Sequence, residues 1–243
     1  MSIEARRAEY LRTIGIDLWV PRDGLRGGAA QAGGDPLEAP QPACARPPGP
    51  ADDADAWERL RAEVRGCTRC ALHQSRTQAV VGVGPERCDW MVVGEAPGAE
   101  EDRRGEPFVG RAGQLLDAML RAIGLSRGAN VYIANILKSR PPGNRDPRPE
   151  EVQACVPYLH RQIELVQPRL LLAVGRIAAQ NLLGTDAPLG KLRGRVHRFG
   201  ERSVPLVVTY HPAYLLRSPA DKRKAWEDLK FARATLARSL TGS

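Results

Sequence analysis

Residues 89–113 read D-W-M-V-V-G-E-A-P-G-A-E-E-D-R-R-G-E-P-F-V-G-R-A-G, and the character of the chain turns on them. Trp90 to Val93 is a short apolar run bounded by turn residues, the pattern of a buried strand. The chain then turns through Gly94, Pro97 and Gly98, where proline fixes φ and glycine admits close backbone approach to a ligand. Glu95, Glu100, Glu101 and Asp102 follow, then an isolated aromatic, Phe108, between Pro107 and Val109. From Arg111 an apolar period of three to four (Leu115, Leu116, Met119, Leu120, Ile123) predicts a helix. A glycine-lined turn off a strand, overhung by acids and one aromatic, suits a flat polar ligand gripped by backbone groups.

Working outward, further strands are predicted at 131–136, 169–174 and Val204–Thr209. Helices are predicted at 57–64, Pro149–Val166, Arg176–Leu183 and from about 220 to 239. A proline-rich loop spans 139–149, and a glycine- and arginine-rich connector spans 190–200. Strands alternating with helices predict an α/β fold, a three-layer α-β-α sandwich around a small, mostly parallel sheet. Ligands bind such sheets at the carboxyl ends of strands. There the strands run into Glu95, Asn135, Gly175 and His211, so Glu95, Asn135 and His211 are expected to converge on one rim.

The chain has 243 residues, enough for one large domain or two small ones. No apolar run reaches the eighteen residues of a membrane span. Charges at Glu4, Arg6, Arg7, Glu9 and Arg12 interrupt the first twenty residues, unlike a secretory signal. A cytoplasmic protein is expected, one whose five cysteines do not pair as structural disulfides. Residues 1–55 hold 6 basic and 9 acidic side chains, and residues 56–243 hold 30 and 19, giving net charges of −3 and +11. A basic folded part points to a polyanion, nucleic acid first. Three segments are expected: a short amphipathic one at 1–20, a disordered Pro/Gly/Ala linker at 21–55, and a folded domain at 56–243.

His211 follows an apolar strand directly and can donate to a developing anion or exchange a proton. Asn135 offers donor and acceptor to an edge that presents N–H beside C=O. Phe108 can stack on such a ring. Together they describe a pocket for a planar, amide-like heterocycle. Cys67-x-x-Cys70, with Cys155 downstream, suits zinc, an iron–sulfur cluster or a redox dithiol.

The runs G-E-A-P-G-A-E-E-D, G-E-P-F-V-G-R-A-G-Q-L-L, Y-I-A-N, R-P-P-G-N-R-D-P and Y-H-P-A-Y-L-L, in this order, resemble the family 4 uracil-DNA glycosylases, the iron–sulfur members of their superfamily. The resemblance implies a DNA repair hydrolase that flips uracil from single- or double-stranded DNA and leaves an abasic site. It implies stacking on Phe108, a grip by Gly94, Glu95 and Ala96, edge reading by Asn135, and an oxyanion contact from His211. Glu101, assisted by Asn144, is the expected carboxylate for the sugar cation or the attacking water, with Glu95 and Asp102 as alternatives. The segments 190–194 and 214–217 are expected to meet the DNA. Other readings are a weakly catalytic DNA-binding module associated with replication, and a glycosylase for another deaminated base.

The family's [4Fe–4S] cluster has four cysteines; Cys67, Cys70 and Cys155 match three, and Ser139 of K-S-R-P-P stands at the fourth. A hydroxyl is a harder, less readily ionised ligand than a thiol, so a weakened, three-cysteine or absent cluster is expected. Residues 3–20 resemble the N-terminal peptide of the bacterial replicative polymerase's psi subunit, which implies a clamp-loader or other replication partner. A bacterial, nucleoid-associated setting follows from these resemblances.

Overall fold

The computed structural model describes residues 51–241. The expectations for residues 1–20, and for the linker as far as residue 50, lie outside the described residues. Helix α1 (Ala51–Arg65) starts five residues before the domain boundary expected at 56. Asp53 and Asp55 fall in its first turns, where carboxylates complement the helix dipole, and Asp53 also pairs with Arg87 at 2.8 Å.

The sheet contains β1 (Trp90–Gly94), β2 (Val131–Asn135), β3 (Leu170–Val174), β4 (His197–Phe199) and β5 (Val204–Thr209), in the order β2-β1-β3-β5-β4. All pairs are parallel except β4 with β5. Every residue of β1, β2 and β3 is buried, which explains why they read as unbroken apolar runs.

Alternation along the strands divides the core. Met91, Val93, Ala134, Leu171, Ala173 and Leu206 face a layer containing α1, α4 (Pro149–Val166) and α5 (Arg176–Leu183). Trp90, Val92, Ile133, Leu172, Val174 and Val207 face α3 (Arg111–Arg121) and α8 (Lys222–Thr241). Two apolar clusters on opposite sheet faces constitute the expected three-layer sandwich.

The segment expected to be a plain connector carries α6 (Leu189–Leu192) and the edge strand β4. Three-residue β4 is too short to show an alternation, and its hairpin turns through Gly200 and Ser203, both at positive φ. Two further short helices sit beside the strand ends: α2 (Ala99–Arg104) after β1 and α7 (Pro212–Arg217) after β5. The chain passes from β1 outward to β2, then crosses back to β3 on the other side of β1. The carboxyl ends of β1 and β3 therefore flank the crevice where such sheets bind ligands.

Candidate active site

Gly94 ends β1 directly opposite Asn135, which ends β2. Gly94 does not need glycine for its backbone conformation; it needs it for space. A Cβ there would lie 2.5 Å from both the Asn135 Oδ1 and the Phe108 Cζ. The turn, the amide and the ring thus meet around one missing side chain, and sequence reasoning had brought these three together.

Asn135 is only 2% exposed. Its backbone oxygen accepts from the Lys138 Nζ at 2.7 Å, and the same ammonium donates to the Gln162 Oε1 at 2.6 Å. Gln162 in turn donates to the Val81 carbonyl and the Tyr132 hydroxyl. The side-chain Oδ1 of Asn135, by contrast, is buried without a hydrogen-bond partner among the described residues. Leaving a buried acceptor unpaired costs about 1–3 kcal/mol, so this one calls for an incoming N–H donor.

Phe108 is 6% exposed and has φ 54, a left-handed conformation that costs a non-glycine residue about 1–2 kcal/mol. That conformation turns the ring under Gly94 and against His211, with ring centroids 5.7 Å apart and planes tilted by 33°.

His211 caps α7: its Nδ1 accepts from the Ala213 N–H at 3.1 Å. A neutral ring so engaged carries its proton on Nε2. Burial, then the positive charge of Arg217, push its pKa down to about 4 against the opposing charge of Glu101. The imidazole is therefore neutral near pH 7 and presents a hydrogen-bond donor. Gly175, at the end of β3 with φ 99, makes room for it; a Cβ there would stand 2.9 Å from the His211 Cβ. A glycine between an apolar run and a helix was the available sequence signal for Gly175.

The carboxylates are engaged in different ways. Glu101, expected beneath the sugar, has both oxygens bound by backbone N–H groups. Oε1 accepts from Val109 at 2.9 Å and Gly110 at 3.0 Å, and Oε2 from Gly98 at 3.1 Å. It braces the Gly98 turn and the Phe108 loop together, because a carboxylate with four lone-pair sites can hold two chain segments at once. Asp102, the other alternative, is spent on the Thr77 N–H. Glu95 is different. Burial first, and then the negative charge of Asp146, raise its pKa to about 7 despite Arg176 nearby. A carboxyl poised near neutrality at a strand end is a functional-site signature. Asn144 is exposed in the same loop as Asp146, with its Oδ1 accepting from the Arg140 Nε at 2.8 Å.

The thiols lie elsewhere. Cys67, Cys70, Cys155 and Ser139 line one narrow cavity with His73, Arg76 and Tyr158. The Ser139 hydroxyl accepts from the Arg76 Nη1 at 2.9 Å, and the Cys155 sulfur accepts from the Lys138 N–H at 3.1 Å. Among the described residues, no group of three or more His, Cys, Asp or Glu side chains is disposed to hold a metal ion. Three thiols and a hydroxyl already engaged by a guanidinium do not fit a four-thiolate cluster.

Residues 81–230 match the family model described as the uracil DNA glycosylase superfamily. The chain is 45% identical over 175 residues to the type-4 uracil-DNA glycosylase of Archaeoglobus fulgidus, covering 69% of this chain and 87% of that one. It is 45% identical over 178 residues to the type-4 uracil-DNA glycosylase of Pyrobaculum aerophilum, covering 71% and 90%. Against the type-4 uracil-DNA glycosylase of Thermotoga maritima it is 41% identical over 184 residues, covering 74% and 94%.

Proposed function

The chain belongs to the uracil DNA glycosylase superfamily, and from that premise we propose that it excises uracil from DNA, hydrolysing the N-glycosidic bond and leaving an abasic site. The observation that carries this reading is the buried, unpartnered Asn135 Oδ1 between the Gly94 turn and the Phe108 ring. Uracil presents N3–H beside O4, so it can supply the missing donor to Oδ1 while its O4 takes an amide N–H. Cytosine, by contrast, presents an acceptor at N3, which would face the acceptor Oδ1. Extrusion of the base costs a few kcal/mol, least from a mispair or a single strand.

Cleavage develops negative charge on the uracil ring and positive charge on the sugar. The neutral His211 donates from Nε2 to the uracil oxygen that gains charge, and N–H groups of the 94–96 turn assist. A neutral donor suits this chemistry, because the ring needs no proton from bulk solvent and the product leaves as a stabilised anion. On the sugar side Glu95 takes the role expected of Glu101. Its ionised form, poorly solvated at the crevice, stabilises an oxocarbenium-like cation more strongly than a hydrated carboxylate could. Asn144, in the loop whose Asp146 acts on Glu95, orients the attacking water. The folded part's excess of basic residues supplies attraction to phosphates.

Glu95, Asn135, Asn144 and His211 do not line the cavity that holds Cys67, Cys70, Cys155 and Ser139. The donor set at Cys67, Cys70, Cys155 and Ser139 supports a weakened, three-cysteine cluster or none, and anaerobically purified protein should contain less iron and sulfide than a four-iron cluster requires. Residues 3–20 are read as a docking peptide for a replication protein, for which Trp19→Ala should abolish clamp-loader capture.

Cleavage of oligonucleotides carrying uracil, hypoxanthine or xanthine, in single and double strands, tests the proposal. Excision of uracil alone is expected. Binding without cleavage of any base would favour a DNA-binding module, and preference for hypoxanthine or xanthine would assign a different lesion.

A further inference from the structure

We infer that Arg127 is a positioning residue for uracil stacking, acting through the backbone of the loop that carries Phe108. This rests on the reading of Phe108 as the pocket floor.

Arg127 lies in the loop leading into β2. That loop is closed by Asn130, whose Oδ1 accepts from the Ser126 N–H at 2.8 Å and whose Nδ2 donates to the Gly124 carbonyl. From this anchored base, the guanidinium reaches nineteen and twenty residues back along the chain. Nη1 donates to the Pro107 carbonyl at 2.7 Å and Nη2 to the Phe108 carbonyl at 2.6 Å. Nε and Nη1 also contact Asp117 at 3.1 Å and Glu106 at 3.2 Å, which fix the plane of the fork.

Consecutive carbonyls point to opposite sides of an extended chain and to the same side only with helical dihedrals. A rigid planar fork holding both carbonyls therefore selects against the extended state that phenylalanine prefers locally. Glu101 completes the grip from the other side, accepting from the N–H groups of Val109 and Gly110. The peptide leaving Phe108 is thus held at its oxygen by Arg127 and at its nitrogen by Glu101. Gly113 lets α3 close over the loop, since a Cβ there would overlap the Phe108 carbonyl. Without Arg127, the loop can relax towards extended dihedrals, and the ring swings off Gly94 and His211.

Arg127→Lys keeps a cation beside Asp117 but cannot fork to two carbonyls, and Arg127→Met removes the charge as well. Three quantities in the full chain separate positioning from general damage: inhibition by free uracil, affinity for a strand bearing a tetrahydrofuran abasic analogue, and melting temperature. Both variants should weaken free-uracil inhibition on the order of tenfold, the scale of the left-handed preference being released. Affinity for the abasic strand, which uses no base stacking, should stay within about twofold of wild type. Unchanged uracil inhibition in a folded variant would overturn the inference, as would an equal loss for both ligands. Should Arg127→Met fail to fold, Arg127→Lys decides by the same criteria. Phe108→Ala tells the two readings apart: if it leaves uracil inhibition unchanged, the floor assignment itself fails. If Phe108→Ala weakens inhibition and Arg127→Lys does not, only the role of Arg127 falls.

Discussion

Gly94→Ala adds one methyl group at the point where the turn, the amide and the ring meet. The backbone of Gly94 is one that alanine adopts freely, so the whole effect is steric. The new carbon would stand 2.5 Å from the Asn135 Oδ1 and 2.5 Å from the Phe108 Cζ, well inside ordinary contact distances of about 3.5–4 Å. Neither neighbour yields easily. Asn135 is held by β2 and by the Lys138 bond to its carbonyl, and Phe108 is locked in its left-handed loop. Forcing a methyl group into such a site costs roughly 1–3 kcal/mol, or several degrees of melting temperature for a chain of this size. The displaced amide and ring would no longer frame a uracil, so a loss of kcat/KM of roughly a hundredfold or more is expected, on the scale of misplacing a positioned group by about an ångström. Steady-state excision from a uracil-containing single strand, with a melting curve of the same preparation, measures both. An alanine variant that melts and turns over like wild type would refute the geometry on which the pocket is built.

His211→Ala should lower turnover by roughly 10²–10³, the scale for a lost oxyanion donor; a wild-type rate would remove His211 from the chemistry. The lowered pKa of His211 has a stability consequence with a definite sign. The unfolded chain binds a proton below about pH 6.5 that the folded chain refuses until about pH 4, so the His211 contribution to stability is lost as pH falls through that window. Denaturant titrations at pH 7 and 5 should show this loss in wild type and much less of it in His211→Ala. Glu95 acts on rate rather than on stability: if its ionised form assists the sugar cation, kcat/KM for uracil excision should rise with pH and level off above about 7. Glu95→Gln should flatten that rise, and an unchanged profile would exclude Glu95. Glu101→Gln should cost about 1–3 kcal/mol of stability through its backbone bonds and weaken uracil binding, yet leave the pH profile intact; a lost pH profile would return the catalytic role to Glu101.

The rim was legible in the sequence because its residues directly follow short apolar strands, and a parallel sheet brings such positions together whatever their separation along the chain. Asn135 and His211 needed nothing more. The bracing bonds of Glu101 were not legible, because three adjacent acids look alike in a string of letters. The G-A-E-E pattern, with Glu three residues after Gly98, carried a capping signal, but the bonds to Val109 and Gly110 depend on how the Phe108 loop folds back. Arg127 was illegible for the same reason: an arginine in a polar loop looks solvated until the carbonyls it grips are located. Ser139 stood out as a departure, while its partner Arg76 lies 63 residues away and is joined to it only by the fold. Strand β4 was hidden by its length and by the glycines around it.

The central claim is that Asn135 reads the uracil edge with an acceptor held free for it. Its most direct test is the kcat/KM of Asn135→Ala relative to wild type on a strand containing a single uracil, with folding verified by the melting curve. A fall of roughly 10–100-fold is expected for losing a buried hydrogen bond to a ring that gains charge in the transition state. A folded variant that excises uracil at the wild-type rate would contradict the account.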